Sequence, residues 1–194
     1  MTETRWHWIR HGPTHASAMI GWTDPPADLS DRGALERLAA ALPARAVILS
    51  SHLRRAFVTA DRLQGDRQRL PHFPTLHEIH FGAWEDQAHA EVGASYPQLL
   101  RAFREAPGTI AAPGGESWRD PQNRVNAAVD AVSLEHAGRD IIAVAHVGVI
   151  LTQIERALGL TTPEAFAQRI EPLSLTRIIR SPKGWRAGPI NHRP

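Results

Sequence analysis

No cysteine occurs among the 194 residues, which excludes disulfide staples, thiolate metal ligands and thiol nucleophiles. Lysine is almost missing too: Lys183 is the single lysine among 22 basic residues, a bias we attribute to genome composition. Excess charge is also absent. Twenty-two basic against 20 acidic residues leave +2, with no dense basic run, so nucleic-acid binding has no electrostatic footprint. The longest apolar run, 141–151, is interrupted by His146 and is far too short to span a bilayer. The first four residues, Met1-Thr2-Glu3-Thr4, carry an acid and no apolar signal core. The expectation is a soluble cytoplasmic protein with neither nucleic-acid nor membrane partners.

What is present suits one domain over 1–194, since 42% hydrophobic and 22% charged residues are ordinary for a globular chain. Residues 4–9 read as a strand, and two prolines make 21–28 a loop. Ser30 or Asp31 caps a helix with Leu35, Leu38, Ala39 and Leu42 on one face, closed by Pro43. Residues 46–49 form a short buried strand and 53–63 a helix. A strand over 69–73, between Pro71 and Pro74, is expected at a sheet edge. Residues 76–86 read as a loop, and a helix over 87–105 is expected to be split by Gly93 and Pro97. A long helix covers 120–137, a continuous apolar strand 141–145, and a helix 148–158. Residues 174–180 and 184–189 form a terminal hairpin. Strands alternating with helices predict a three-layer α/β/α sandwich around a mostly parallel, doubly wound sheet, with a helical lobe at about 87–118 over the site.

Three strands end in polar chemistry: the first at Arg10-His11-Gly12, the second at Ser50-Ser51-His52, the apolar strand at His146. Carboxyl ends of parallel strands share one sheet edge, where open α/β folds bind ligands. Arginine offers a planar fork to phosphate, and histidine is a nucleophile or base near neutral pH. Arg55, one turn into the helix after the second strand, points back to that edge.

This pattern resembles the histidine phosphatase superfamily, in its phosphoglycerate-mutase-like branch. Arg10-His11-Gly12 is similar to the nucleophile motif, and Ser50-Ser51-x-Leu53-x-Arg55-Ala56-x-x-Thr59-Ala60 to the second motif. Leu76-x-Glu78-x-x-Phe81-Gly82-x-Trp84-Glu85 is similar to the acid loop, while Pro113 to Ser117 and Val144-Ala145-His146 match the remaining blocks. The resemblance implies a phosphohistidine at His11, a phosphate clamp of Arg10, Arg55 and His146, and Glu78 as general acid. It implies a phosphatase that releases inorganic phosphate from a small phosphorylated substrate, with no cofactor and no metal. A protonated His146 is expected to add positive charge. The loop of 21–26 and the Phe-Gly-Ala-Trp-Glu run look more like alpha-ribazole phosphatase and related broad phosphatases than a mutase. A mutase-type phosphotransferase and a catalytically weak phospho-ligand binder remain as alternatives, and the oligomeric state, dimer included, stays open.

Four positions depart from the family pattern. Pro13 replaces the usual Glu or Gln, and Ser17 falls near a customary phosphate-binding Asn. Val147 takes the place of a second glycine, and His52 of an Asp. Trp22 and Thr23 are candidates for the substrate entrance, as is Val147, and His15 for a further phosphate ligand. Glu85 competes locally with Glu78 for the acid role. His72, His77, His80 and His89 fit no standard zinc spacing and read as surface or pocket-rim residues.

Overall fold

Period-two alternation on the strands sorts their side chains to two faces. On β1 (Thr4–Arg10), Trp6 and Trp8 face one core and Ile9 the other. On β4 (Asp140–Ala145), Ile141, Ala143 and Ala145 join Trp6 and Trp8, whereas Ile142 and Val144 join Ile9. The computed structural model describes residues 2–194. Its six strands follow the order β3-β2-β4-β1-β5-β6, where β2 is Ala46–Ser50, β3 Gln68–Arg69, β5 Leu175–Ser181 and β6 Gly184–Ala187. The first four are mutually parallel, and the β5–β6 hairpin adds antiparallel to β1.

Helices cover both faces. The apolar stripes of α1 (Arg32–Ala41) and α2 (Arg54–Leu63) enclose the core containing Ile9. Asp31 caps α1 by accepting from the Ala34 N–H at 2.9 Å. On the opposite face α5 (Arg119–Glu135) presents Val125, Val129 and Val132, and α6 (Val147–Leu158) presents Ile150 and Ile154. The short helices α3 (His89–Ser95) and α4 (Pro97–Glu105) extend that layer. The result is the three-layer sandwich with a mostly parallel sheet that the alternating pattern predicts. Among the described residues no helix is long and apolar enough to cross a membrane.

Three elements differ from expectation. The third strand lies at Gln68–Arg69 rather than 69–73, because Pro71 lacks the N–H that a continued ladder needs. The segment still follows β2 through Leu70 N–H to Ile48 O and Phe73 N–H to Ser50 O. Gly93 sits inside α3, and the expected 87–105 helix breaks only at Tyr96, ahead of Pro97. A further helix, α7 (Thr162–Phe166), follows α6, with Glu164 accepting from both the backbone N–H and the hydroxyl of Thr161.

Candidate active site

Register alone brings the polar strand ends together. Arg10 pairs with Ala145 across β1–β4, and Ser50 with Val144 across β2–β4, so His11, Ser51 and His146 follow side by side. Arg10 extends one guanidinium N–H to the Ile170 carbonyl at 2.6 Å, while its buried Nε has no partner. Behind His11, the Gly12 N–H donates to the Thr59 hydroxyl at 3.1 Å, and that hydroxyl donates to the Arg55 carbonyl at 2.7 Å. A Cβ at Gly12 would collide with Leu29 and the Asp28 carbonyl, so this turn requires glycine.

The tautomer of His11 follows from its partners. Its Nδ1 lies 2.7 Å from the Gly12 carbonyl oxygen, which can only accept, so Nδ1 carries the proton. Nε2 therefore keeps its lone pair, and accepts from Arg55 Nε at 3.2 Å. Burial, then the Arg55 guanidinium, pull the His11 pKa down to about 3 against the opposing bond to Gly12. The ring is neutral throughout the physiological range.

Arg55 is 1% exposed, so its charge must be answered by the protein. Spacing of four along α2 puts Arg55, Thr59 and Leu63 on the buried face. The Gly21 carbonyl accepts from Nη2 at 2.6 Å, and Nη1 donates to the Thr23 carbonyl at 2.7 Å and to Asp24 at 3.1 Å. Those carbonyls belong to a loop that Glu85 gathers: its carboxylate accepts four backbone N–H groups, from Gly21, Trp22, Thr23 and Phe81. Glu85 is thus bound into backbone and does not line the cavity.

Glu78 is 6% exposed and accepts from the N–H of Ile79 at 3.0 Å and of Gly148 at 3.1 Å. Burial raises its pKa, outweighing those two N–H groups and the two arginines. The backbone around it is fixed from α5: Arg124 donates to the carbonyls of Thr75, His77 and Glu78 and pairs with Glu116 at 2.9 Å. Glu116 also accepts from the His80 N–H, so the Gly114-Gly115-Glu116 stretch braces the acid loop. A close backbone approach to Glu78 is made at Gly148, next to Val147, where a Cβ would overlap Glu78 Oε1.

His146 is fully buried, its ring centroid is 5.1 Å from that of His11, and both its nitrogens lack partners. Burial, then His11 and Arg55, hold its pKa well below the ordinary value. That direction disfavours a charged His146 where no anion faces it, and leaves Arg10 and Arg55 as the cations that line the cavity.

Arg10, His11, Arg55, Glu78 and Val147 line one cavity of about 240 Å³. Ser17 is exposed and is not on its wall; Thr14, from the same loop, is. Trp22 lies outside the lining, 45% exposed, with its indole N–H on the Glu78 carbonyl and its ring against His77 and His80. Thr23 meets Arg55 through its carbonyl. His15 is exposed and pairs with Asp28. Among the described residues no three His, Asp or Glu side chains converge as a metal cluster. Sequence reasoning missed the apolar wall, which includes Ile20, Phe103, Trp118 and Phe166, and the bracing of Glu78 by Arg124. The four-residue spacing of Arg55 and Thr59 was a signal for the contact with Gly12.

Known proteins are similar to this chain in sequence and fold. Over 168 residues the chain is 38% identical to a glucosyl-3-phosphoglycerate phosphatase of Mycolicibacterium vanbaalenii, covering 78% of this chain and 73% of that protein. Bacillus stearothermophilus YhfR superposes with a TM-score of 0.87 at 28% identity, over 97% of this chain and 96% of that one. The alpha-ribazole phosphatase of Shigella flexneri does so with 0.83 at 26% identity, over 97% and 96%. The model of the histidine phosphatase superfamily (branch 1) matches residues 7–192, in line with the strand-edge histidines and paired arginines, and the chain belongs to that superfamily.

Proposed function

We propose that the chain hydrolyses a small phosphomonoester by double displacement, with His11 Nε2 transiently phosphorylated. The observation that carries this reading is the anchoring of His11 Nδ1 to the Gly12 carbonyl, which leaves the Nε2 lone pair in a cavity shared with two arginines and Glu78. In the first step a P–N bond forms at Nε2 while the ester P–O bond breaks, and protonated Glu78 gives its proton to the leaving oxygen. Phosphorylation at Nε2 makes the imidazole cationic, and the Gly12 carbonyl stabilises that charge through the Nδ1–H it already accepts from. In the second step water attacks phosphorus, Glu78 takes the water proton, and the P–N bond breaks to return neutral His11.

Arg10 and Arg55 face the equatorial oxygens and offset their charge, which is the task a divalent cation performs in other phosphoryl transfers. The buried nitrogens of His146 and Arg10 Nε, unpartnered in the free pocket, are suited to the same oxygens. A dianion in the cavity also favours the protonated form of His146, so substrate can add that charge to those of the two arginines. The raised pKa of Glu78 keeps its proton available closer to neutrality.

The test is hydrolysis of p-nitrophenyl phosphate with EDTA present, by wild type and His11→Ala. Wild-type turnover, absence of turnover in the variant and an acid-labile phosphoenzyme trapped by rapid quenching are expected. Turnover that survives in His11→Ala would overturn the assignment of the nucleophile.

A further inference from the structure

The cavity is chemically lopsided. Its inner end holds the charged and unpartnered polar groups: Arg10 with its free Nε, Arg55, Glu78 and His11, with His146 behind. The rest of the wall is hydrocarbon, formed by Ile20, Ile79, Phe103, Trp118, Leu151 and Phe166. Thr14 carries the one side-chain hydroxyl on that lining. The Trp118 indole N–H is spent on Glu155 at 2.7 Å, so this residue offers only its ring, against which Phe166 packs edge-on at 4.5 Å. The hydrocarbon wall also continues outward. Phe81, Phe103 and Phe166 are shared with an adjoining hollow of about 440 Å³, completed by Met19, Leu100 and Pro163. Only His89 and Arg104 bring polar side chains there.

Resting on the phosphatase reading above, we infer that the two hollows form one substrate channel and that the leaving group is an apolar body of aromatic size. The phosphate occupies the charged end and the hydrocarbon body lies across Phe81, Phe103 and Phe166. Each hydroxyl of a sugar or glycerate placed on these surfaces would leave water and meet few side-chain donors or acceptors, a penalty an apolar body escapes. α7 is the device that builds this preference, because it supplies both Pro163 and Phe166. The same channel sets this chain apart from a polyhydroxylated substrate class, even though a relative is named for a glucosyl ester.

The experiment compares kcat/KM for 3-phenylpropyl phosphate and glycerol 3-phosphate, both esters of primary alcohols, so leaving-group acidity does not create the preference. p-Nitrophenyl phosphate serves as the measure of phosphatase competence. At least a tenfold advantage, roughly, for the phenylpropyl ester is expected in wild type. In Phe166→Ser that advantage should shrink severalfold, through KM more than kcat. Turnover of p-nitrophenyl phosphate with equal or better use of glycerol 3-phosphate would overturn the channel proposal and leave the phosphatase reading intact. A Phe166→Ser variant that is folded by circular dichroism and keeps the full preference would overturn the role of α7. No turnover of any ester would overturn both readings together.

Discussion

Glu78 and Glu85 stand on one stretch of chain, both receive backbone N–H groups, and their acidities move in opposite directions. Glu78 is buried on the cavity wall with two N–H donors, and burial dominates, so its pKa rises. At Glu85 burial also pushes upward, but the N–H groups of Phe81, Trp22 and Thr23 outweigh it and the pKa falls. The number of aimed amides sets the direction in which each carboxylate shifts. Two donors hold Glu78 in place without fully compensating its charge. Four donors turn Glu85 into the knot of a loop whose outward carbonyls hold Arg55.

The largest expected effect comes from removing the carboxyl to which the proposed mechanism assigns the proton transfers. Glu78→Gln should lower kcat for an alkyl phosphate by about 10²–10⁴-fold, and by less for p-nitrophenyl phosphate, whose leaving group departs without a proton. In wild type, kcat should fall as pH rises through the elevated pKa of Glu78, and the variant should lose that limb. His11 adds no acid limb near neutrality, because its pKa lies near 3. A pH profile of kcat for both proteins checks these statements.

Breaking the other carboxylate should act on the fold first. Glu85→Ala leaves three half-buried amides and one exposed amide without their acceptor and should cost about 1–3 kcal/mol in urea unfolding, with a smaller loss of kcat/KM as Arg55 loses its anchored carbonyls. The stability term has a definite sign with pH. A lowered folded pKa means the contribution of Glu85 is present above the ordinary 4.5 and is lost as pH falls through the folded value. The gap between wild type and Glu85→Ala should therefore narrow in acid. Glu78 is the reverse case, its raised pKa favouring the fold below the ordinary value and losing that contribution as pH rises.

The smallest effect is expected at the rim. Trp22→Ala removes a half-exposed ring and one hydrogen bond to the Glu78 carbonyl, and should change kcat/KM by about threefold with about 1 kcal/mol of stability. A loss as large as that of Glu78→Gln would merge two regions that the hydrogen bonding separates.

Much of this contrast could not be read from the chain. The strands were legible because 141–145 and 46–49 are short continuous apolar runs that stop at polar residues, and the parallel sheet then gathers Arg10, His11 and His146. The α2 helix was legible too, and with it the inward face of Arg55. Loops carry no such pattern. Between His11 and Gly21 nothing in the order of residues says that Thr14 turns inward and Ser17 outward. Glu85 could be seen as a rival acid, but its amide partners lie far off in sequence, on the Gly21 loop. The helix α7 has only five residues, too short for periodicity, yet the Thr161–Glu164 capping pair was a usable sign of its start.

The bond between Arg55 Nε and His11 Nε2 has a consequence for the resting protein. The electron pair that would attack phosphorus is already engaged by a cationic donor, so the idle nucleophile is sheathed. In the proposed mechanism Arg55 must exchange this acceptor for an oxygen of the substrate before Nε2 can meet phosphorus, so the substrate's own charge frees the lone pair it needs.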